Sequence, residues 1–261
     1  MATGEHETVT PEQIVGVEAL LRRRLSGESV ARIIGEREFY GLVFALNDAT
    51  LEPRPETELL VDLALKLLPQ GGRLLDLGTG TGCVPIALLA NRPDASGVAV
   101  ELSALALEAA QENAERNGVA ERLTLLQGSW FEPLVSNLNP SSPARGSMGE
   151  SEGFAFDLIV SNPPYIASAV VETLAPEVKH FDPRLALDGG PDGLAPYRVI
   201  AAQAARFLAL HGGVLVEIGY DQGEAVSALF RAAGFAQVAV HKDLNGLDRV
   251  VEAHHLQGAA S

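Results

Sequence analysis

A single cysteine, Cys83, in 261 residues leaves no internal disulfide and no cysteine-clustered zinc or iron–sulfur site to build. Long apolar runs are missing as well. No stretch reaches about 18 consecutive apolar residues, the length a membrane-spanning helix needs. Met1–Thr10 is polar and acidic, unlike a secretory signal. Positive charge is scarce: 19 lysines and arginines face 34 aspartates and glutamates, for a formal net charge of −15. Duplex nucleic acid is usually gripped by a basic face that displaces counterions from phosphates. These absences predict a cytoplasmic protein without a membrane segment, a metal or direct DNA binding; a monomer is expected. The one basic cluster, Arg22–Arg24, falls on a predicted helix and reads as a solvated face, with a docking contact to a partner as the alternative.

What is present is enough apolar material for a core. Hydrophobic residues make up 47% of the chain, and its length suits one large α/β domain with a short appendage. Thr10–Gln13 reads as a capping box with Pro11 at the first helical position, followed by a stripe of Ile14, Val17, Leu20 and Leu21 running to about Leu25. A short second helix is expected around Ser29–Ile34. "REFYGLVFALNDATLEP" predicts two strands joined by a turn at Asn47 and Asp48, and helical patterning resumes over Glu56–Leu68.

Beyond this point strand and helix alternate. Strands are expected at Arg73–Leu77, Gly97–Glu101, Leu123–Leu126, Phe156–Val160 and Val214–Ile218, with two more near Val238–His241 and Arg249–Ala253. Helices are expected at Gly82–Ala90, Ala104–Asn117, Leu194–Leu210 and Gly223–Ala233. The pattern predicts an α/β fold: a mostly parallel seven-stranded sheet with helices on both faces and one antiparallel member. Divided accordingly, residues 1–36 form a short helical segment, 37–55 a β-hairpin linker and 56–255 the main domain. "SNLNPSSPARGSMGESEG", Ser136–Gly153, is rich in serine, proline and glycine and reads as a disordered surface insertion. It enters the Phe156–Val160 strand at its amino end, which predicts a position on the edge opposite the strand carboxyl ends.

Chemistry concentrates at those carboxyl ends. "LLDLGTGTGC" places Gly78, Gly80 and Gly82, interleaved with Thr79 and Thr81, on the turn from the first parallel strand into a helix. The spacing is G-x-G-x-G, not the dinucleotide G-x-G-x-x-G, and no P-loop lysine follows. Backbone lying bare against a ligand without phosphates fits best. Glu101 ends the second strand, where a carboxylate can accept from a ribose diol. Trp130 follows the third strand and has two readings, a wall for an adenine ring or a core filler. Four such features on one edge mark the site.

The fourth is "SNPPY". Pro163 and Pro164 offer carbonyls without competing N–H groups, and they restrict the backbone around Asn162. The Asn162 side-chain oxygen and the Pro163 carbonyl can accept both hydrogens of an NH2 group, with Tyr165 over the plane that carries it. Such acceptors suit a flat, conjugated nitrogen that gains positive charge as it attacks. A nitrogen of that kind needs a strong electrophile. S-adenosylmethionine, a methyl sulfonium on an adenosyl group, matches the glycine loop and Glu101.

The glycine loop with N-P-P-Y resembles the Rossmann-like S-adenosylmethionine-dependent amino-methyltransferases. "RIIGEREFYGL", "LEPRPETELLV", "DPRLALDGGPDGLAPYRVI" and "DLNGLDRVV" narrow the resemblance to the peptide chain release factor N5-glutamine methyltransferases, over roughly Arg32–Val251. The resemblance implies a Rossmann-like class I methyltransferase fold and N5-methylation of the glutamine in the Gly-Gly-Gln motif of class 1 release factors, with S-adenosylhomocysteine as by-product. It implies cofactor contacts from Gly78–Gly82, Glu101, Trp130 and Asn162. Asn162, Pro163, Pro164 and Tyr165 would hold the glutamine amide, with Asn162, Pro163 and Tyr165 as the catalytic group. Two departures stand out: only about thirty residues precede the Arg32 motif, and Ser129 sits where an aspartate often precedes the tryptophan. Alternatives are a ribosomal-protein glutamine methyltransferase, a DNA adenine methyltransferase, or a cofactor-binding docking protein without catalysis.

Other residues have plain readings. Cys83 is expected to be buried, His254 and His255 to be solvated in a polar tail, and Asp188 and Asp192 to serve turns. Arg54 and Glu56 stay open between a structural and a functional role.

Overall fold

The computed structural model describes residues 9–137 and 155–254. Thr10 caps α1 (Pro11–Leu25): its hydroxyl accepts from the Gln13 N–H, and the Gln13 side chain accepts from the Thr10 N–H. Two amides that a first turn otherwise leaves unpaired are thereby satisfied. None of the α1 residues is buried, and Ile14, Val17, Leu20 and Leu21 are all exposed. Ser29 caps α2 (Val30–Ile34).

β1 (Glu36–Phe39) and β2 (Leu42–Ala45) form an antiparallel hairpin. Its turn is Tyr40–Gly41 and not Asn47–Asp48. Both turn residues have positive φ, +52° and +73°, the geometry whose twist matches the flanking strands. A tyrosine rarely enters that region, so the signal is hidden by its first residue. Asn47 starts a separate turn, its carbonyl accepting from the Thr50 N–H.

A single 3-10 turn, Pro55–Thr57, leads into α3 (Glu58–Leu67). The chain then runs β3 (Arg73–Leu77), α4 (Cys83–Asn91), β4 (Ser96–Glu101), α5 (Ala104–Arg116), β5 (Leu123–Gln127) and α6 (Glu132–Asn137). After it come β6 (Phe156–Ser161) and three short helices, α7 (Ser168–Val171), α8 (Pro176–Phe181) and α9 (Arg184–Leu187). The last elements are α10 (Ala195–Ala204), β7 (Leu208–Glu217), α11 (Gly223–Ala232), β8 (Gln237–Lys242) and β9 (Asp248–His254). The helix expected to reach Leu210 therefore stops at Ala204. Phe207–Leu210 suits either period, and pairing of Leu208 with Phe156 of β6 decides for strand. His254 is likewise a strand residue, half-buried with its ring on Glu252, and His255 lies outside the described residues. So does the insertion from residue 138 onward; Ser136 and Asn137 are the end of α6.

The sheet order is β5-β4-β3-β6-β7-β9-β8, and β9 alone runs against its neighbours. Side chains alternate between two packed faces. Leu75, Leu77 and Ile159 join Tyr197 and Phe230 on one side. Leu74, Leu158 and Val160 join Leu60, Ile86 and the hairpin's Phe39 and Phe44 on the other. This double coverage is what a parallel sheet requires. The chain winds outward from β3 through β4 to β5, then crosses back to place β6 on the other side of β3. The crevice at the carboxyl ends of β3 and β6 is therefore the switch point, where open α/β sheets bind ligands.

Candidate active site

Gly78, Gly80 and Gly82 follow β3 with φ of +75°, +55° and +78°, conformations that side-chain-bearing residues adopt only under strain. A Cβ on Gly78 or Gly80 would meet nothing within 4 Å, so these two present open backbone. Gly82 differs. A Cβ there would lie 2.8 Å from Ile86 Cδ1 and 3.3 Å from Ala110 Cβ, so this glycine lets α4 pack against α5.

Glu101, at the end of β4, is buried and braces the loop: its Oε2 accepts from the Gly80 N–H at 2.9 Å, and its Oε1 from the Ser103 N–H at 2.9 Å. Each carboxylate oxygen keeps a further lone pair for a ligand. Trp130 takes φ +48°, costing a non-glycine residue about 1–3 kcal/mol. It packs on the core and also lines the crevice.

These residues surround a cavity of about 560 Å³, the size of a small-molecule site. Gly78, Thr79, Gly80, Thr81, Glu101, Trp130, Asn162 and Pro164 all line it. Gly82, Pro163 and Tyr165 lie off the lining. Pro163 is buried, and Tyr165 packs against the core, where burial first and the nearby Glu217 second push its hydroxyl up to about 12. Cys83, expected to be buried, is half-buried and lines the cavity; desolvation pushes its thiol up to about 12 and keeps it protonated.

Asn162 is placed by β6, whose last residue, Ser161, donates from Oγ to the Leu77 carbonyl of β3 at 2.6 Å. The glycine loop and Asn162 thus leave adjacent strands side by side. The Asn162 Nδ2 donates to Thr57 Oγ1 at 3.2 Å, which turns the side-chain oxygen away from Thr57. Pro164 and Tyr165 are held from behind by the D-G-G-P-D-G segment. A Cβ on Gly189 would lie 2.7 Å from the Pro164 carbonyl oxygen, and one on Gly193 2.4 Å from that of Tyr165. The same Tyr165 carbonyl accepts from Gln222 Nε2 at 3.0 Å. Asp188 and Asp192 do serve turns, accepting from the N–H two residues on, and Asp188 also lines the cavity.

Several site residues escape a reading of sequence. Arg54 lines the cavity and donates to Asp182 Oδ2 at 2.9 Å, while Arg32 donates to Oδ1 at 2.7 Å. Asp182 therefore ties the P-R-P-E-T turn and α2 to the end of α8; Glu56 is exposed and lies off the lining. Asn113 is fully buried, donating to the Ala45 and Thr81 carbonyls and accepting from the Ala45 N–H, so one side chain joins the hairpin to the glycine loop. Asp76, buried below the loop, has its carboxyl pushed up to about 7, chiefly by burial with a smaller push from the Glu101 charge. Arg54 aside, which the sequence leaves open, only tertiary placement identifies these polar residues; in the sequence they look like ordinary turn or surface residues.

Comparison with known proteins bears on this arrangement. Residues 55–140 match the methyltransferase small domain family. A release factor glutamine methyltransferase of Agrobacterium fabrum is 47% identical, the alignment covering 93% of this chain and 80% of that protein. One from Caulobacter vibrioides is 44% identical over 96% of this chain and 82% of its own length. Among solved structures, a methyltransferase from Pyrococcus furiosus superposes with a TM-score of 0.57 at 17% identity, covering 91% of this chain and 98% of that one. The hMettl16 catalytic domain gives 0.61 at 16%, covering 85% and 77%. These two likenesses establish the Rossmann-like methyltransferase fold.

Proposed function

The chain belongs to the release factor glutamine methyltransferase family, and from that premise we propose that its cavity joins S-adenosylmethionine to the glutamine of a release factor's Gly-Gly-Gln motif for N5-methylation. Open backbone at Gly78 and Gly80 and the spare lone pairs of Glu101 suit the adenosyl and ribose portions of the cofactor. Trp130 supplies an aromatic wall for the adenine. A carboxylate-lined cavity also suits a cation, and the bound cofactor supplies an electrophilic methyl on a positively charged sulfur.

The protein's share is to present the nucleophile. Asn162 Oδ1 and the Pro163 carbonyl accept the two hydrogens of the glutamine NH2, with Pro164 and Tyr165 shaping the channel for its flat amide. Transfer of that methyl would leave the sulfur as a neutral thioether and put the positive charge on the amide nitrogen held by Asn162 and Pro163. Two fixed carbonyl dipoles favour that charge more than the neutral amide, which lowers the barrier without a general base. The alkylated amide then loses its proton to water.

One observation carries this reading: the glycine loop and Asn162 leave neighbouring strands into one cavity. The test is transfer of labelled methyl to purified class 1 release factor, compared with a release factor carrying Gln→Ala in its tripeptide. Label is expected only in the former. Equal labelling of both would sink the assignment.

A further inference from the structure

Behind Asn162 lies a buried carboxyl that the reaction above does not use. Glu217 ends β7, and the pairing of Ser161 with Val216 sets it beside Asn162. It is 2% exposed, and its Oε2 is buried without a hydrogen-bond partner. Thr57, itself buried, accepts from Asn162 Nδ2 at 3.2 Å through its Oγ1, and its hydroxyl favours the ionised form of the Glu217 carboxyl.

The direction of this chain follows from counting protons. An ionised carboxylate only accepts, so a link from Glu217 to Thr57 uses the one proton of the threonine hydroxyl. The threonine oxygen then has only lone pairs to offer, and Asn162 must turn its NH2 toward it. That leaves Asn162 Oδ1 for the substrate. A protonated Glu217 permits the reverse sense, in which it donates to Thr57, Thr57 donates to Oδ1, and Asn162 presents an NH2 to the NH2 it should be holding.

We propose that Glu217 is a positioning residue whose ionised carboxylate, acting through Thr57, holds the Asn162 amide with its oxygen toward the substrate. This rests on the function proposed above. Glu217 sits in balanced surroundings for such a role. Burial pushes its carboxyl up to about 7, Thr57 and Arg249 of β9 oppose that push, and Glu56 adds to it. The hydroxyls of Tyr165 and Tyr197 and the thiol of Cys83 also feel its charge.

The test compares the full chain with Glu217→Gln, Thr57→Val and Thr57→Ser, with release factor and labelled S-adenosylmethionine, from about pH 5.5 to about 9. Wild-type kcat should fall on the acid side. Glu217→Gln, whose amide can face Thr57 either way, should lose about tenfold or more in kcat together with that acid limb. Its Kd for the cofactor should stay within about twofold. Thr57→Val should reproduce both losses, and Thr57→Ser, which keeps the hydroxyl, should recover most of them. A Glu217→Gln enzyme with wild-type kcat and an intact acid limb overturns the proposal, as does cofactor affinity falling in step with turnover. If Glu217→Gln does not fold, the two Thr57 variants decide. A second readout needs no turnover: the side-chain amide nitrogen signal of Asn162 in the free protein should shift with pH near neutrality and lose that shift in Thr57→Val. A wild type that methylates nothing but keeps this titration refutes the substrate assignment alone; an Asn162 signal indifferent to pH refutes the relay.

Discussion

The two halves of the cavity are built differently. On the side proposed for the cofactor, the glycine loop is braced by Glu101, only 21 residues along the chain from Gly80. Both belong to one β3–α4–β4 unit, and the polar surface offered is mostly backbone. On the side proposed for the amide, Asn162 meets Thr57 across 105 residues, Arg54 meets Asp182 across 128, and Arg32 meets Asp182 across 150. Gln222 reaches the Tyr165 carbonyl across 57 more. A half made by one supersecondary unit forms wherever that unit forms. The other half exists only once α2, the P-R-P-E-T turn, β6, α8 and β7 have all docked. Damage to the first should therefore show in cofactor binding, and damage to the second in turnover or global stability.

The largest effect is expected at Asp182. Asp182→Ala leaves Arg32, whose side chain is 7% exposed, without its carboxylate. Removing one partner of a buried pair costs about 3–5 kcal/mol. The lower end applies, because Arg32 still donates to the Asn47 and Thr50 carbonyls. Urea unfolding measures the loss, and a change under about 1 kcal/mol would mean that the amide-facing half does not depend on this junction.

Asn162→Ala comes next. Loss of one aligned dipole at a charged transition state should lower kcat about a hundredfold or more. Cofactor Kd, read by calorimetry, should change only a few-fold. Near-normal turnover would show that the amide is held by other groups.

Gly80→Ala reverses the pattern. Its methyl meets no protein atom, but a left-handed backbone at φ +55° costs alanine about 1–2 kcal/mol, and the methyl stands where ligand would lie. Cofactor affinity should weaken about tenfold, with KM for release factor little changed. A shift confined to the release factor KM would break the division between the halves.

Asp76→Asn tests the floor of the cofactor half. The Asp76 carboxyl is raised to about 7 in the fold. The folded state therefore holds its proton more tightly than the unfolded chain does. The resulting stabilisation is complete below the ordinary carboxylate range and is lost as pH rises through about 7. Melting temperature should fall between about pH 5 and about 8 in the wild type, and less steeply in the variant. Parallel curves would refute the assignment.

The smallest effect is expected from deleting Ser141–Glu150. The stretch that contains them joins β6 at Phe156, whereas Asn162 leaves the other end of that strand. Turnover within about twofold of wild type is expected in the labelled-methyl assay. A larger loss with the fold intact would place that segment near the cavity.

Legibility in the sequence follows the same division. The seven strands, the capping box at Thr10, the glycine loop, Glu101 and Asn162 can all be read from local pattern, because each rests on periodicity or on spacing within one unit. The hairpin turn was hidden by Tyr40, and the start of β7 by a run that fits helix and strand alike. Thr57, Asn113, Asp182, Glu217 and Gln222 have no local signature, since each matters through a partner from a distant segment.

By itself, then, the amino-acid order determined a doubly covered sheet and which strand ends line its cavity, since apolar period and glycine spacing act over a few residues. Only the tertiary structure decided which way the Asn162 amide faces and what steadies Tyr165. Those hydrogen bonds join segments that meet only when the sheet closes, and the direction of a donor is set by its neighbour in space.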